Sequence, residues 1–216
     1  MKSIEAGFII FDLDGTLIDS SSDIAWAANR TLEVMGYPAL DVGRIKEDIG
    51  WGVKTLLERL MPGETAERIA GARMLFLEFY GSHLVVETHL YPGVADTIRR
   101  LCAMGKLMAV VTNKPETLTL RILEEVGLKA YLPYVVGGDT LPTRKPSPEP
   151  VEAVIRAAGM TKAVSVIVGD SPMDAEAGRA AGISAIGVTY GFRGVRELTG
   201  FDALVDAFAE LKDVIR

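Results

Sequence analysis

The sequence predicts an α/β protein with a parallel sheet covered by helices on both faces and a helical segment set into it after the first strand. Three observations predict it. A short apolar run, Phe8-Ile9-Ile10-Phe11, is followed at once by Asp12-Leu13-Asp14-Gly15-Thr16, which reads as a buried strand ending in a polar turn. From about residue 20 to 84 the pattern is helical with few plausible strands. From Tyr91 onward, apolar strands alternate with short helices stopped by glycines, the pattern of a parallel sheet covered on both sides.

The elements follow in order. Strand 1 covers about 7–11. Ser21 and Ser22 are placed to cap a helix carrying Ile24, Ala27, Ala28, Leu32 and Met35 at helical spacing, which Gly36-Tyr37-Pro38 ends. Further helices are expected over about 42–49, 53–60 and 64–82. Pro92-Gly93 opens a helix reaching Met104, with Val94, Ile98 and Leu101 on one face and Gly105 as its stop. Strands are then expected at 106–111, 134–136, 164–168, 183–188 and 203–205. Helices are expected at 115–126, 148–158, 172–181 and 206–215.

Bulk properties narrow the function. The chain has 216 residues, 49% of them hydrophobic, enough for a substantial core. A net charge of −6 without a long Lys/Arg run argues against a nucleic-acid surface. It also requires a local positive site for any phosphate substrate. The single cysteine, Cys102, excludes an internal disulfide, suits a reducing compartment and is expected to be packed in its helix. Two histidines, His83 and His89, are too few for a His-rich zinc centre, and neither is given a role. With no signal-peptide pattern and no apolar run near the roughly 18 residues of a membrane span, a cytoplasmic protein is expected, as monomer or homodimer.

Ligands of open parallel sheets sit beyond the carboxyl ends of the strands. Strand 1 leads to Asp12 and Asp14. If the chain stayed extended to Asp14, both carboxylates would face one point, about 7 Å apart by strand rise. The strand at 106–111 leads to Thr112-Asn113, the strand at 164–168 to Gly169-Asp170-Ser171, and the loop after 134–136 to Lys145-Pro146. One rim would therefore collect three carboxylates, several hydroxyl or amide donors and an ammonium. Hard oxygen ligands suit Mg²⁺. Other readings stay open at this level. Asp12–Gly15 is also a common turn sequence. Ser171, Pro172 and Asp174 form a helix start in their own right, and Thr112-Asn113 does the same before Lys114-Pro115.

Taken in order, Asp12-Leu13-Asp14-Gly15-Thr16, Thr112-Asn113-Lys114, Lys145-Pro146 and Gly169-Asp170-Ser171-Pro172-Met173-Asp174 resemble the four motifs of the haloacid-dehalogenase superfamily of aspartyl phosphotransferases. The resemblance spans essentially the whole chain. It implies a Rossmann-like core (1–16 and 91–216) and a small all-helical cap at 17–90 that rocks on linkers near 16–20 and 83–91. It further implies Asp12 as nucleophile and Asp14 as general acid and base. Mg²⁺ would sit on Asp12, the Asp14 carbonyl and Asp170. Phosphoryl oxygens would be held by Thr112, Asn113 and Lys145, with Thr16, Ser171 and Asp174 in support.

Ile49-Gly50-Trp51-Gly52, Val136-Gly137-Gly138-Asp139 with Arg144-Lys145-Pro146, and Val188-Thr189-Tyr190-Gly191-Phe192 are similar to segments of bacterial phosphoglycolate phosphatases. This resemblance implies hydrolysis of 2-phosphoglycolate. Gly50, Trp51, Gly52 and Lys54 are then candidates for specificity, because loop amides and a helix amino terminus can receive a second anion. Alternatives are a sugar-phosphate phosphatase or pyrophosphatase, a β-phosphoglucomutase-like phosphotransferase, and a catalytically silent binding module. A dehalogenase would not need an acid at Asp14.

Overall fold

The computed structural model describes residues 3–216; residues 1–2, which the sequence assigns to the core, lie outside the described residues. β1 (Phe8–Phe11) leads through β2 (Ile18–Asp19) into four helices, α1 (Ser21–Met35), α2 (Val42–Lys46), α3 (Val53–Leu60) and α4 (Ala66–Ser82), and the chain returns through β3 (His89–Leu90). Alternation then begins: α5 (Val94–Ala103), β4 (Leu107–Val111), α6 (Glu116–Glu125), β5 (Tyr134–Val136), α7 (Glu149–Ala157), β6 (Ser165–Gly169), α8 (Pro172–Ala181), β7 (Ser184–Val188), β8 (Ala203–Val205) and α9 (Leu211–Val214).

The six-stranded sheet runs β5-β4-β1-β6-β7-β8, and every neighbouring pair is parallel. β1 lies at its centre, where both faces of a strand must be apolar; all four of its residues are fully buried. Alternate residues serve opposite layers, as the period of a strand requires. Ile9, Phe11, Met108, Val110, Val166 and Val168 join one core with Val94, Ile98, Ile122, Phe208 and Leu211. Phe8, Ile10, Ala109, Val111 and Ile167 join the other with Val151, Val154, Ala175 and Ala181. Parallel pairing around β1 brings the ends of β1, β4 and β6 to one edge, and the four inserted helices lie over it.

β2 and β3 pair antiparallel, Ile18 with Leu90 and Asp19 with His89. The two linkers are therefore one short ribbon, which the sequence did not suggest because two residues carry no period. The buried Asp23 of α1 fastens the ribbon. Its carboxylate accepts the backbone N–H groups of Val86 (3.0 Å), Glu87 (3.1 Å) and Thr88 (2.8 Å) and the Thr88 hydroxyl (2.7 Å). α4 turns Ile69, Ala72, Phe76 and Tyr80 inward, a stripe at helical spacing.

Several expectations need correction. Neither Ser21 nor Ser22 caps α1: Asp19 accepts the Ser21 N–H at 3.0 Å, and the Ser20 hydroxyl turns to Asp14. The helix expected over 42–49 stops at Lys46, and the one expected over 206–215 is a 3₁₀ turn (Phe208–Glu210) followed by α9. Cys102 is exposed rather than packed. No described helix is long and apolar enough to cross a membrane.

Candidate active site

β1 delivers Asp12 to the edge of the sheet with its N–H still bonded to the Val168 carbonyl at 2.9 Å. The extended run ends there. The chain bends at Leu13 and turns at Gly15, whose φ of +85° suits glycine. The two carboxylates therefore do not point along one strand face as the spacing suggested; each meets a different lysine. Asp12 Oδ1 lies 2.8 Å from Lys145 Nζ, and Asp14 Oδ1 lies 2.6 Å from Lys114 Nζ. Asp14 also accepts from the Ser20 hydroxyl at 2.5 Å. A side chain on Gly15 would put its Cβ 2.1 Å from Asp170 Oδ2, so only glycine lets this turn close over Asp170.

Lys145, from the loop after β5, bridges Asp12 and Asp174 Oδ1, the latter at 2.6 Å. The other Asp174 oxygen accepts the Ser171 N–H (3.1 Å) and hydroxyl (2.7 Å). The helix-start reading of Ser171 and Asp174 and the site reading are thus both met by one carboxylate. Asp170 Oδ2 accepts the Phe192 N–H at 2.6 Å. Oxygens of Asp12, Asp170 and Asp174 lie within 4.8 Å of one another, all buried.

Three carboxylates and one ammonium, all buried, leave an excess of negative charge. Burial pushes the Asp12 carboxyl up to about 6, with Lys145 pulling it down and Asp174 adding to the rise. Burial, then the charges of Asp12 and Asp174, push Asp170 up to about 8. Burial alone would lower the Lys145 ammonium, but its two carboxylate neighbours outweigh that and hold it above its ordinary value.

These residues fit a hard divalent cation. The donors are carboxylate oxygens, the charge excess is about that of one such ion, and Asp12 Oδ1 is buried without a hydrogen bond, since Lys145 approaches it outside hydrogen-bond geometry.

The segment after β4 is tied to its neighbours by side-chain hydrogen bonds. The Thr112 hydroxyl accepts the Lys114 N–H at 3.3 Å. The Asn113 side-chain amide donates to the carbonyls of Gly50 (2.9 Å) and Lys145 (3.0 Å). Its NH₂ is a brace between three segments. Thr16 is fully buried with an unpartnered hydroxyl, and its carbonyl accepts the Tyr190 hydroxyl at 2.8 Å.

A cleft between the sheet edge and the helices is lined by Asp12, Asp14, Thr112, Lys114, Gly50 and Gly52, with Ile24, Val53, Leu56 and Phe76 as its apolar wall. Of the four specificity candidates, the two glycines border it. Trp51 instead lies under the Arg59 guanidinium, 4.6 Å from ring centre to Cζ, and Lys54 is exposed beside Glu58 at 3.5 Å. The sequence could not tell these faces of the loop apart. Neither histidine lines the cleft: His83 stacks on Trp26, and His89 is exposed.

Three residues without an assigned role prove central. Lys114 is buried between Asp14 and the Tyr80 hydroxyl, the latter at 2.6 Å. Tyr80 reaches in from α4. Arg193, after β7, donates to the Lys46 and Ile49 carbonyls. Lys114 had one signal, its place directly after Thr112-Asn113. Tyr80 and Arg193 had none, because their partners lie 34 and about 145 residues away.

A buried carboxylate cluster with a bridging lysine, at the carboxyl edge of a parallel sheet and beneath inserted helices, defines an acid-cluster hydrolase. The family model for haloacid dehalogenase-like hydrolases matches residues 9–188, and the chain belongs to that family. It is a phosphoric monoester hydrolase of the family. It is 39% identical to the phosphoglycolate phosphatase of Chromobacterium violaceum, across 100% of this chain and 98% of that one. The identity is 37% to the phosphoglycolate phosphatase of Vibrio cholerae, across 89% and 87%. Among solved structures, a predicted phosphoglycolate phosphatase from Haemophilus somnus superposes with a TM-score of 0.90 at 30% identity, covering 97% of each chain. CbbY from Rhodobacter sphaeroides, crystallised with phosphate, gives 0.83 at 25% identity, covering 95% and 96%.

Proposed function

We propose that this enzyme hydrolyses 2-phosphoglycolate to glycolate and phosphate through an aspartyl-phosphate on Asp12, with Mg²⁺ as cofactor. The observation that carries this reading is the placement of Asp12. It stands between a lysine and a second acid, and faces a small cleft that it shares with Asp14. Asp12 attacks phosphorus and the bond to the ester oxygen breaks, while Asp14 gives that oxygen its proton. Water then attacks phosphorus, Asp14 takes the water's proton, and the bond to Asp12 breaks. Positioned proton transfer of this kind contributes about 10²–10⁴-fold, and the covalent step divides one hard displacement into two easier ones.

Asp12, Asp170 and the Asp14 carbonyl would hold Mg²⁺, which when bound supplies positive charge that lets an anionic nucleophile meet an anionic phosphate. Lys145 neutralises phosphoryl oxygens, with Thr112 and the backbone at Asn113 beside it. Asp174 positions Lys145, and Ser171 positions Asp174. Residues 17–90 act as a cap that opens on the β2–β3 ribbon and closes to exclude water; Asn113 and Arg193 hold it shut through the carbonyls of Gly50, Ile49 and Lys46. The names of the relatives at 37–39% identity support the substrate, and the single cysteine supports a cytoplasmic setting.

A phosphate-release screen over small phosphomonoesters, with and without Mg²⁺, tests the reading. Clear preference for 2-phosphoglycolate is expected; preference for sugar phosphates or pyrophosphate, or transfer of phosphate without release, would overturn it.

A further inference from the structure

We infer that Lys114 is the specificity residue of the cleft and binds the carboxylate of the substrate; this rests on the substrate reading above. In 2-phosphoglycolate the carboxylate is one carbon from the ester oxygen. Whatever protonates that oxygen therefore lies beside whatever holds the carboxylate. Asp14 is assigned to the oxygen, and Lys114 Nζ lies 2.6 Å from Asp14 Oδ1.

Of the cations around the cleft, Arg144 is exposed beside Gly52 and donates to the Thr55 hydroxyl at 3.4 Å. Lys145 is bridged by Asp12 and Asp174 and belongs to the phosphoryl end. Arg44 and Arg59 are paired with Asp48 at 2.6 and 3.0 Å. Arg193 is engaged by the carbonyls of Lys46 and Ile49. Lys54 is exposed and paired with Glu58. Lys114 lines the cleft, and its side chain is 4% exposed. An ammonium has three donors. Asp14 and the Tyr80 hydroxyl take two of them, which leaves one for a ligand.

The surroundings sharpen the selection. The apolar lining is Ile24, Val53, Leu56 and Phe76, and an ion pair beside such a surface is stronger than one in water. The amino terminus of α3 also borders the cleft at Gly52 and Val53, and no side chain caps it. Tyr80 belongs to α4, so the helices hold the Lys114 head in place when they cover the cleft. The carboxylate thus falls to the lysine that follows Asn113, with the loop at Gly50 and Gly52 and the α3 amino terminus beside it.

The test compares 2-phosphoglycolate with ethyl phosphate, a two-carbon ester without the carboxylate. kcat/KM is measured for both in the wild type, Lys114→Met and Lys114→Gln. Lys114→Gln keeps a donor for Asp14 and Tyr80, and so serves if Lys114→Met does not fold. The readout is the ratio of the two kcat/KM values, which does not depend on how far overall activity falls. In the variants that ratio should drop by about 10- to 150-fold, the range of a hydrogen bond to a charged group, mainly through KM for 2-phosphoglycolate. An unchanged ratio, with both substrates losing equally, would overturn the assignment and leave Lys114 as a positioning residue for Asp14. A wild type that does not prefer 2-phosphoglycolate overturns the substrate reading itself, before any variant is compared.

Discussion

Without a divalent cation, the folded protein should lose stability as pH rises from 5 to 8, and Asp170→Asn should remove most of that loss. The carboxyls of Asp12 and Asp170 titrate near 6 and 8 in the folded state, against an ordinary value of 3.8. Between those values the folded protein binds more protons than the unfolded chain. Stability then falls with rising pH, at about 1.4 kcal/mol per pH unit for each fully protonated group. Below the ordinary value both states are protonated and no penalty exists. Asp170 stays largely protonated from pH 5 to 8 and accounts for roughly 4 kcal/mol over that window. Asp12 acts over the first unit only and adds about 1 kcal/mol. The sum is a large fraction of the roughly 5–15 kcal/mol that stabilises a typical domain.

Urea unfolding in the presence of a chelator, at pH 5, 6, 7 and 8, measures this directly. A saturating divalent cation at pH 8 should restore about 3 kcal/mol at a hundred times its Kd. It should restore less at pH 5, where protons compete for the same oxygens. The reasoning is refuted if the wild type is equally stable across the window, or if Asp170→Asn keeps the wild-type slope.

Other outcomes follow from the same geometry. Asp12→Asn should abolish turnover while the fold remains intact by circular dichroism; retained phosphate release would remove Asp12 as nucleophile. Asp14→Asn should slow ethyl phosphate by about 10²–10⁴-fold and p-nitrophenyl phosphate much less, since a good leaving group needs little protonation; equal losses would exclude Asp14 as general acid. Gly15→Ala should cost on the order of 2–4 kcal/mol in thermal unfolding, because it forces a left-handed residue and drives a Cβ into Asp170. Wild-type stability would show that the turn can relax. Asp23→Ala should cost roughly 1–3 kcal/mol by removing the shared acceptor of the N–H groups of residues 86–88, of which Thr88 is buried, and faster hydrogen exchange along β3 should accompany it.

The parts of this protein legible in its sequence are those written in local periodicity and turn chemistry. Phe8–Phe11 is apolar on both faces, which fits only the middle of a covered sheet. The glycines after α5, α6, α7 and α8 mark where each helix ends. Acids, amide and lysine placed just after strands meet at one edge because parallel strands end together. Asp12, Asp170 and Lys145 could therefore be grouped before any coordinates, and Asp174 joined them only through the family resemblance.

Tertiary structure decided which partner each polar group takes. The bend at Leu13 sends Asp14 to Lys114 while Asp12 meets Lys145. The Asn113 amide braces Gly50 and Lys145. Trp51 and Lys54 turn away from the cleft, while Tyr80 reaches Lys114 from a helix that reads as ordinary core. Residue order fixes which groups reach the sheet edge. The pairing of charges across 30 to 150 residues depends on how two packed layers meet, and no local pattern in the chain encodes that.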